Sequence, residues 1–246
     1  MIIITKFKRV VNITKRNIKK FIKFFDKNVY FSLGENCLPD SILARFGLKS
    51  FSSPYSFGRS NIEYLLNFEK ESFVSFLDSD YLKYEYVDDR KVVRNKRYLR
   101  AENKYNPFCE NGFEFTHHDV IKDKKERNRI RKRCRRLMKL RNKKIIMLYH
   151  HRFCTETDEN LLVTHLSQFA ELYEKRNNNV QIYCFSQVIV TDTSQRRVEH
   201  HSSFGIEIYK FFTLHEWAGN NEDIFWARCD DDLIKTMIDD MKHNSK

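Results

Sequence analysis

Apolar positions follow two rhythms along this chain. In its second half, three short runs carry almost no polar face: 144–149 (KIIMLY), 180–185 (VQIYCF) and 205–212. Between and after them lie segments with apolar residues at helical spacing, 157–176 and 220–241. Strands without a polar face are buried on both sides, and helices that alternate with them cover a parallel sheet. The pattern therefore predicts an α/β fold, with a mainly parallel sheet and helices on both faces.

The first half is less regular. Residues 29–33 read as a short strand and 38–46 as a helix, with Phe46-Gly47-Leu48 as its stop. Residues 60–68 and 70–78 have helical patterns, 81–100 suggests a hairpin, and 104–112 is a loop. Residues 113–117 alternate as a short strand. A long helix is predicted over 119–142, with Ile130, Cys134, Leu137 and Met138 on one stripe. Upstream, 6–27 reads as a basic amphipathic helix, with Val10, Val11, Ile18, Phe21, Ile22 and Phe25 on its apolar side. The expected division is a basic N-terminal helix over 1–28 and a single α/β domain over 29–246.

Composition narrows the class. Of 246 residues, 41% are hydrophobic and 14% aromatic, which excludes global disorder. Six glycines and three prolines argue against a turn-dense β-sandwich. No stretch approaches the roughly 20 apolar residues of a membrane span. The opening Met1-Ile2-Ile3-Ile4 is too short for a signal-peptide core. The six cysteines show no CxxC spacing, so reduced thiols, a cytoplasmic location and no metal site are expected.

Charge adds one local feature. The net charge is +12, from 45 basic and 33 acidic residues. Residues 122–144 hold 14 of the basic and 2 of the acidic ones, which leaves 31 of each elsewhere. The excess thus sits on one predicted helix, a solvated face or a docking surface for an anionic partner. No recognised nucleic-acid module accompanies it, so nucleic acid is not the expected partner. The amphipathic segment 6–27 is either packed on the core or in peripheral contact with a membrane.

The candidate chemistry lies in FSLGENCLPDSILARFG, residues 31–47. A glycine turn places Cys37 between a strand and a helix N-terminus. There, free N–H groups and the helix dipole favour a thiolate. The same donors could hold an oxyanion, with Gly34, Asn36 and Leu38 in the turn. A nucleophilic cysteine needs a proton shuttle. His118 is the first choice and His117 the second, with Asp119 as an orienter. Sites in open α/β sheets form at strand carboxyl ends. His150-His151-Arg152 and Ser186-Gln187 also fall there, which makes His151 and Arg152 candidates for substrate binding. A buried packing cysteine is the competing reading.

The block Ser32-Leu33-Gly34-Glu35-Asn36-Cys37, with Leu43, Arg45, Gly47 to Ser50 and Ser53-Pro54-Tyr55, resembles the opening of a family of uncharacterised domains described as putative papain-like cysteine peptidases. Phe115 to Asp119, the basic helix, the strand ending near Arg152, and Trp217, Gly219 and Trp226 are similar to later parts of that family. Ser56 and Phe57 stand where its pattern has aspartate and tryptophan. The resemblance implies Cys37 as nucleophile and a histidine of the 117–118 pair as base. It also implies a helix-borne cysteine and a histidine on antiparallel sheet. The Gly-x-x-Cys turn is similar, more weakly, to the GNC element of capsule polysaccharide acetyltransferases.

The expected activity is therefore cysteine-dependent hydrolysis or acyl transfer on a small-molecule, peptide or glycan substrate. No cofactor is required, and acyl-CoA would enter only as the donor of an acyl transfer. The rival expectation is a non-enzymatic protein that binds polyanions through 122–144.

Overall fold

The computed structural model describes residues 28–244 apart from Asp88. The predicted N-terminal helix over 6–27 lies outside these residues. The core is a five-stranded sheet in the order β1-β5-β6-β8-β7, built from β1 (Asn28–Leu33), β5 (Lys144–His150), β6 (Asn179–Ile189), β8 (Ile206–Thr213) and β7 (Arg197–Ser203). β1, β5, β6 and β8 are mutually parallel, and only β7 runs antiparallel, on the outer side of β8. The carboxyl ends of four strands therefore share one rim. A separate antiparallel sheet joins β2 (Leu82–Val87), β3 (Arg90–Asn95) and β4 (Phe113–Phe115).

Alternate residues of β5 face two cores, as continuous apolar strands require. Ile145, Met147 and Tyr149 pack with Ile62, Leu65 and Phe68 of α2 (Ile62–Lys70), Ile130 and Leu137 of α4 (Lys124–Met138), and Leu162 and Phe169 of α5 (Glu159–Glu174). Ile146 and Leu148 pack on the other face, with Leu38, Ile42 and Leu43 of α1 (Leu38–Arg45) and Ile234, Met237 and Ile238 of α7 (Asp231–His243). Helices thus cover both faces, as expected. Short helices α3 (Pro107–Glu110) and α6 (Glu222–Phe225) complete the described α-helices.

The sheet is mainly parallel, as expected, and its antiparallel pair, β7 and β8, forms a hairpin. Its two-residue connection, Phe204 and Gly205, has positive φ at both positions (48° and 76°), the geometry that suits the strand twist. Three expectations need correction. The stretch predicted as a helix over 70–78 is mostly turns, with Ser72 and Phe73 at positive φ. The helix predicted over 119–142 is shorter, because Asp123 caps α4 through the amides of Lys125 and Glu126. Finally, β4 belongs to the small sheet, so His117 and His118 follow a strand that does not contribute to the parallel rim.

Candidate active site

The turn from β1 into α1 is held from several sides. Gly34 lies directly on the Tyr55–Gly58 turn, and a Cβ at this position would meet the Tyr55 carbonyl oxygen at 2.5 Å. The glycine is thus required for close backbone approach. Cys37 is the N-cap residue of α1, and its carbonyl accepts from the Ser41 amide. The donors expected for an oxyanion are partly engaged. Asn36 Oδ1 accepts from the Leu38 amide at 3.0 Å, and Pro39 has no N–H. Asn36 Nδ2 lies 3.0 Å from His150 Nδ1, at the end of the neighbouring strand. With Asn36 oriented by Leu38, the amide donates to Nδ1 and leaves the proton of neutral His150 on Nε2. The His150 ring stacks on Phe185 at 4.7 Å and lies 5.8 Å from Trp217. Burial, then Arg152 and His151, lower its pKa well below the ordinary histidine value.

A second link runs beneath the first. Glu35 is fully buried, and its Oε2 accepts from the Arg152 amide at 2.5 Å. Its Oε1 lies 3.2 Å from Nδ1 of fully buried His151, close enough for an ion pair but not aligned as a hydrogen bond. The Phe185 carbonyl accepts from the His151 amide. Glu35 and Asn36 therefore tie the Cys37 turn to His151-Arg152 and to His150 respectively. The rim brings together Gly34, Asn36, Cys37, Leu38, His151 and Arg152 of the predicted set.

Cys37 is half-buried, and all six cysteines are free thiols. Burial raises its pKa above the ordinary thiol value, with Asp40 acting in the same direction. The Cys37 backbone, Arg59 and Arg152 work against this rise without overcoming it. At neutral pH the resting thiol is protonated, so reaction requires a base. The net effect differs from the expected helix-stabilised thiolate because desolvation exceeds the gain at a helix start.

The histidine pair lies across the Tyr55–Arg59 segment. His118 and His117 meet the edge of Phe57 at ring distances of 5.8 and 6.4 Å. His118 Nδ1 is 2.6 Å from Glu126 Oε2. Its pKa is lowered by burial and Arg133, against the raising effect of Glu126. His117 is lowered by burial and then by Arg59 and Arg90. Arg59 thus acts on both Cys37 and His117. No hydrogen bond or ion pair among the described residues joins Cys37 to either histidine. Asp119 is not the carboxylate beside His118. It accepts from Tyr84 and from the Ile121 and Lys122 amides, which fix the turn before α4. Glu126, in the first turn of α4, is the carboxylate that stands there.

Arg59, Glu126 and the buried Glu35 were not foreseen in these roles. Glu35 occupies a variable position in the SLGxxC pattern, and Arg59 and Glu126 act through tertiary contacts that no spacing rule reveals. Among the described residues, one group of potential metal ligands, His200, Glu207 and Asp240, has atoms within 4.8 Å of one another. Glu207 lies near the start of β8, at the opposite end of the sheet from Cys37. His200 is bonded to Glu207 and Tyr209 to Asp240 within the group. No helix among the described residues is long and apolar enough to cross a membrane.

A family model described as "Putative papain-like cysteine peptidase (DUF1796)" matches residues 28–193. Neither the curated proteins nor the solved structures yield a match.

Proposed function

The chain belongs to this family of papain-like cysteine peptidase domains, and on that premise we propose that it is a cysteine-dependent hydrolase or acyltransferase with Cys37 as nucleophile. The observation that carries the reading is the turn itself. A glycine tolerated by no side chain presents a cysteine at a helix start, and two side chains from the same turn anchor it to the adjacent strand. A packing cysteine needs none of this.

The base is drawn from the His117–His118 pair. His118 is the better equipped, because Glu126 faces Nδ1 and leaves Nε2 to accept a proton. Burial keeps its imidazole neutral at pH 7, the form a base requires. In the reaction, the Cys37 sulfur bonds to the substrate carbonyl carbon as its proton passes to His118. The leaving group then departs with that proton. Water, or another hydroxyl in an acyl transfer, attacks the thioester and releases the thiol.

Acetylation of Cys37 by p-nitrophenyl acetate, read at the Cys37 peptide by mass spectrometry, tests this. Wild type should acetylate and then turn over. His118→Ala should slow acetylation by about 100-fold or more, the usual scale of a general base. A folded wild type that leaves Cys37 unmodified would end the nucleophile reading. Equal rates in wild type, His117→Ala and His118→Ala would end the assignment of the base.

A further inference from the structure

The turn that carries Cys37 has arginines on both sides, and one of them, Arg152, has no ion pair among the described residues. Arg152 is fixed beside the turn by its own amide, bonded to Glu35. Its guanidinium makes no hydrogen bond or ion pair among the described residues. Arg59 arrives from the other side. It follows Gly58, the last residue of the turn on which Gly34 packs. Its acidic neighbour is Glu114, at 3.9 Å. Glu114 is already satisfied, with Oε2 accepting from buried Arg94 at 2.6 Å and Oε1 from Thr116. Arg59 thus shares Glu114 with Arg94 and stacks on Phe108 at 5.4 Å.

Arg59 also lines a recess of about 260 Å³ with Arg90, Lys91, Val87, Val92, Glu114 and Thr116. Arg90 is exposed and, among the described residues, has no ion pair. The acid closest to the thiol on α1, Asp40, is matched by Lys49. Cations thus run from Arg152 past Cys37 and Arg59 to Arg90 and Lys91. Guanidinium groups suit planar or tetrahedral oxyanions, which they bind through paired N–H donors.

We infer that the substrate carries an anionic group, a carboxylate or a phosphate, held between Arg59 and the Arg90–Lys91 recess while its carbonyl meets Cys37. The inference rests on the Cys37 reading and adds the class of substrate. Such an arrangement draws anions toward the nucleophile and disfavours neutral competitors.

The test compares alkylation of Cys37 by iodoacetate with that by iodoacetamide, one anionic and one neutral, at low ionic strength. The rate ratio is referred to 2-mercaptoethanol as an unsteered thiol. It should exceed that reference by about tenfold, the lower end of electrostatic steering. Arg152→Gln and Arg59→Gln should each lower it about threefold or more. Arg90→Gln, an exposed site outside any described ion pair, should lower it without threatening the fold. Inorganic phosphate and acetate, added separately at equal ionic strength, should slow the iodoacetate reaction unequally and so identify the preferred anion. A ratio equal to the reference, or one indifferent to all three substitutions, would overturn the inference and leave the nucleophile standing. Failure of both reagents to label folded protein would overturn the nucleophile and this inference with it.

Discussion

Gly34 and Cys37 act as a pair, although only one of them carries a functional group. The Tyr55 carbonyl oxygen occupies the space where any other residue at position 34 would place its Cβ. Gly34→Ala must push apart two backbone segments, which costs about 1–3 kcal/mol by the usual scale of overpacking. It should also move the thiol relative to its surroundings, and a displacement near 1 Å can cost about 100-fold in rate. Denaturant melts and the Cys37 acetylation assay together check this. A variant with native stability and native acetylation would show that the contact is dispensable. At this scale the sequence was informative where the requirement is local. A glycine before a cysteine at a strand-to-helix junction signals its own purpose. Glu126 beside His118 and Arg59 beside Cys37 are neighbours only after folding, so no spacing announces them.

Elements with a strong apolar rhythm were legible, and those with polar or turn-rich sequence were not. β5 and β6 carry side chains into two cores and read as apolar runs. β7, RVEHHSS, is an exposed edge strand, paired among the described residues with β8 alone, and its pattern has no apolar alternation. The 71–77 segment has the apolar content of a helix, but the chain enters the left-handed region at Ser72 and Phe73 to leave α2. In α4, three buried residues, Ile130, Cys134 and Leu137, secure the helix on the core. Its exposed face carries like charges one turn apart, which oppose helix formation by about 0.2–0.5 kcal/mol per pair. Lys132 faces Arg129, Arg135 and Arg136 at such spacings. Lys132→Gln should therefore raise stability by about 0.5–1 kcal/mol at low salt, and the gain should fade near 1 M salt as screening sets in. Thermal melts across salt concentrations check this, and a loss of stability at low salt would show that Lys132 has a favourable partner.

Across the whole molecule, the two-sided core buries groups that would rather be charged. Glu69 of α2 is fully enclosed, and accepts from the hydroxyls of Tyr55 and of Tyr173 on α5. Burial pushes its pKa up to about 7, despite those bonds and the guanidinium of Arg176. An unfolded glutamate titrates near about 4.3, so the folded state holds the proton more tightly. Its contribution to stability is full below about pH 4.3 and declines as pH rises to about 7, by up to about 3 kcal/mol. Glu69→Gln should flatten that part of the stability–pH curve, measured by urea unfolding from pH 4 to 8. An unchanged slope would assign it to other groups. The order of the sheet has a consequence in time as well. Among the described residues β1 has one neighbour, β5, and about 110 residues separate Leu33 from Lys144. A ribosome adding about 5–20 residues per second needs roughly 5–20 s to cross that interval. Throughout it the emerging chain holds Cys37 without the strand that anchors its turn, so each newly made copy lacks the assembled rim until its middle has been synthesised.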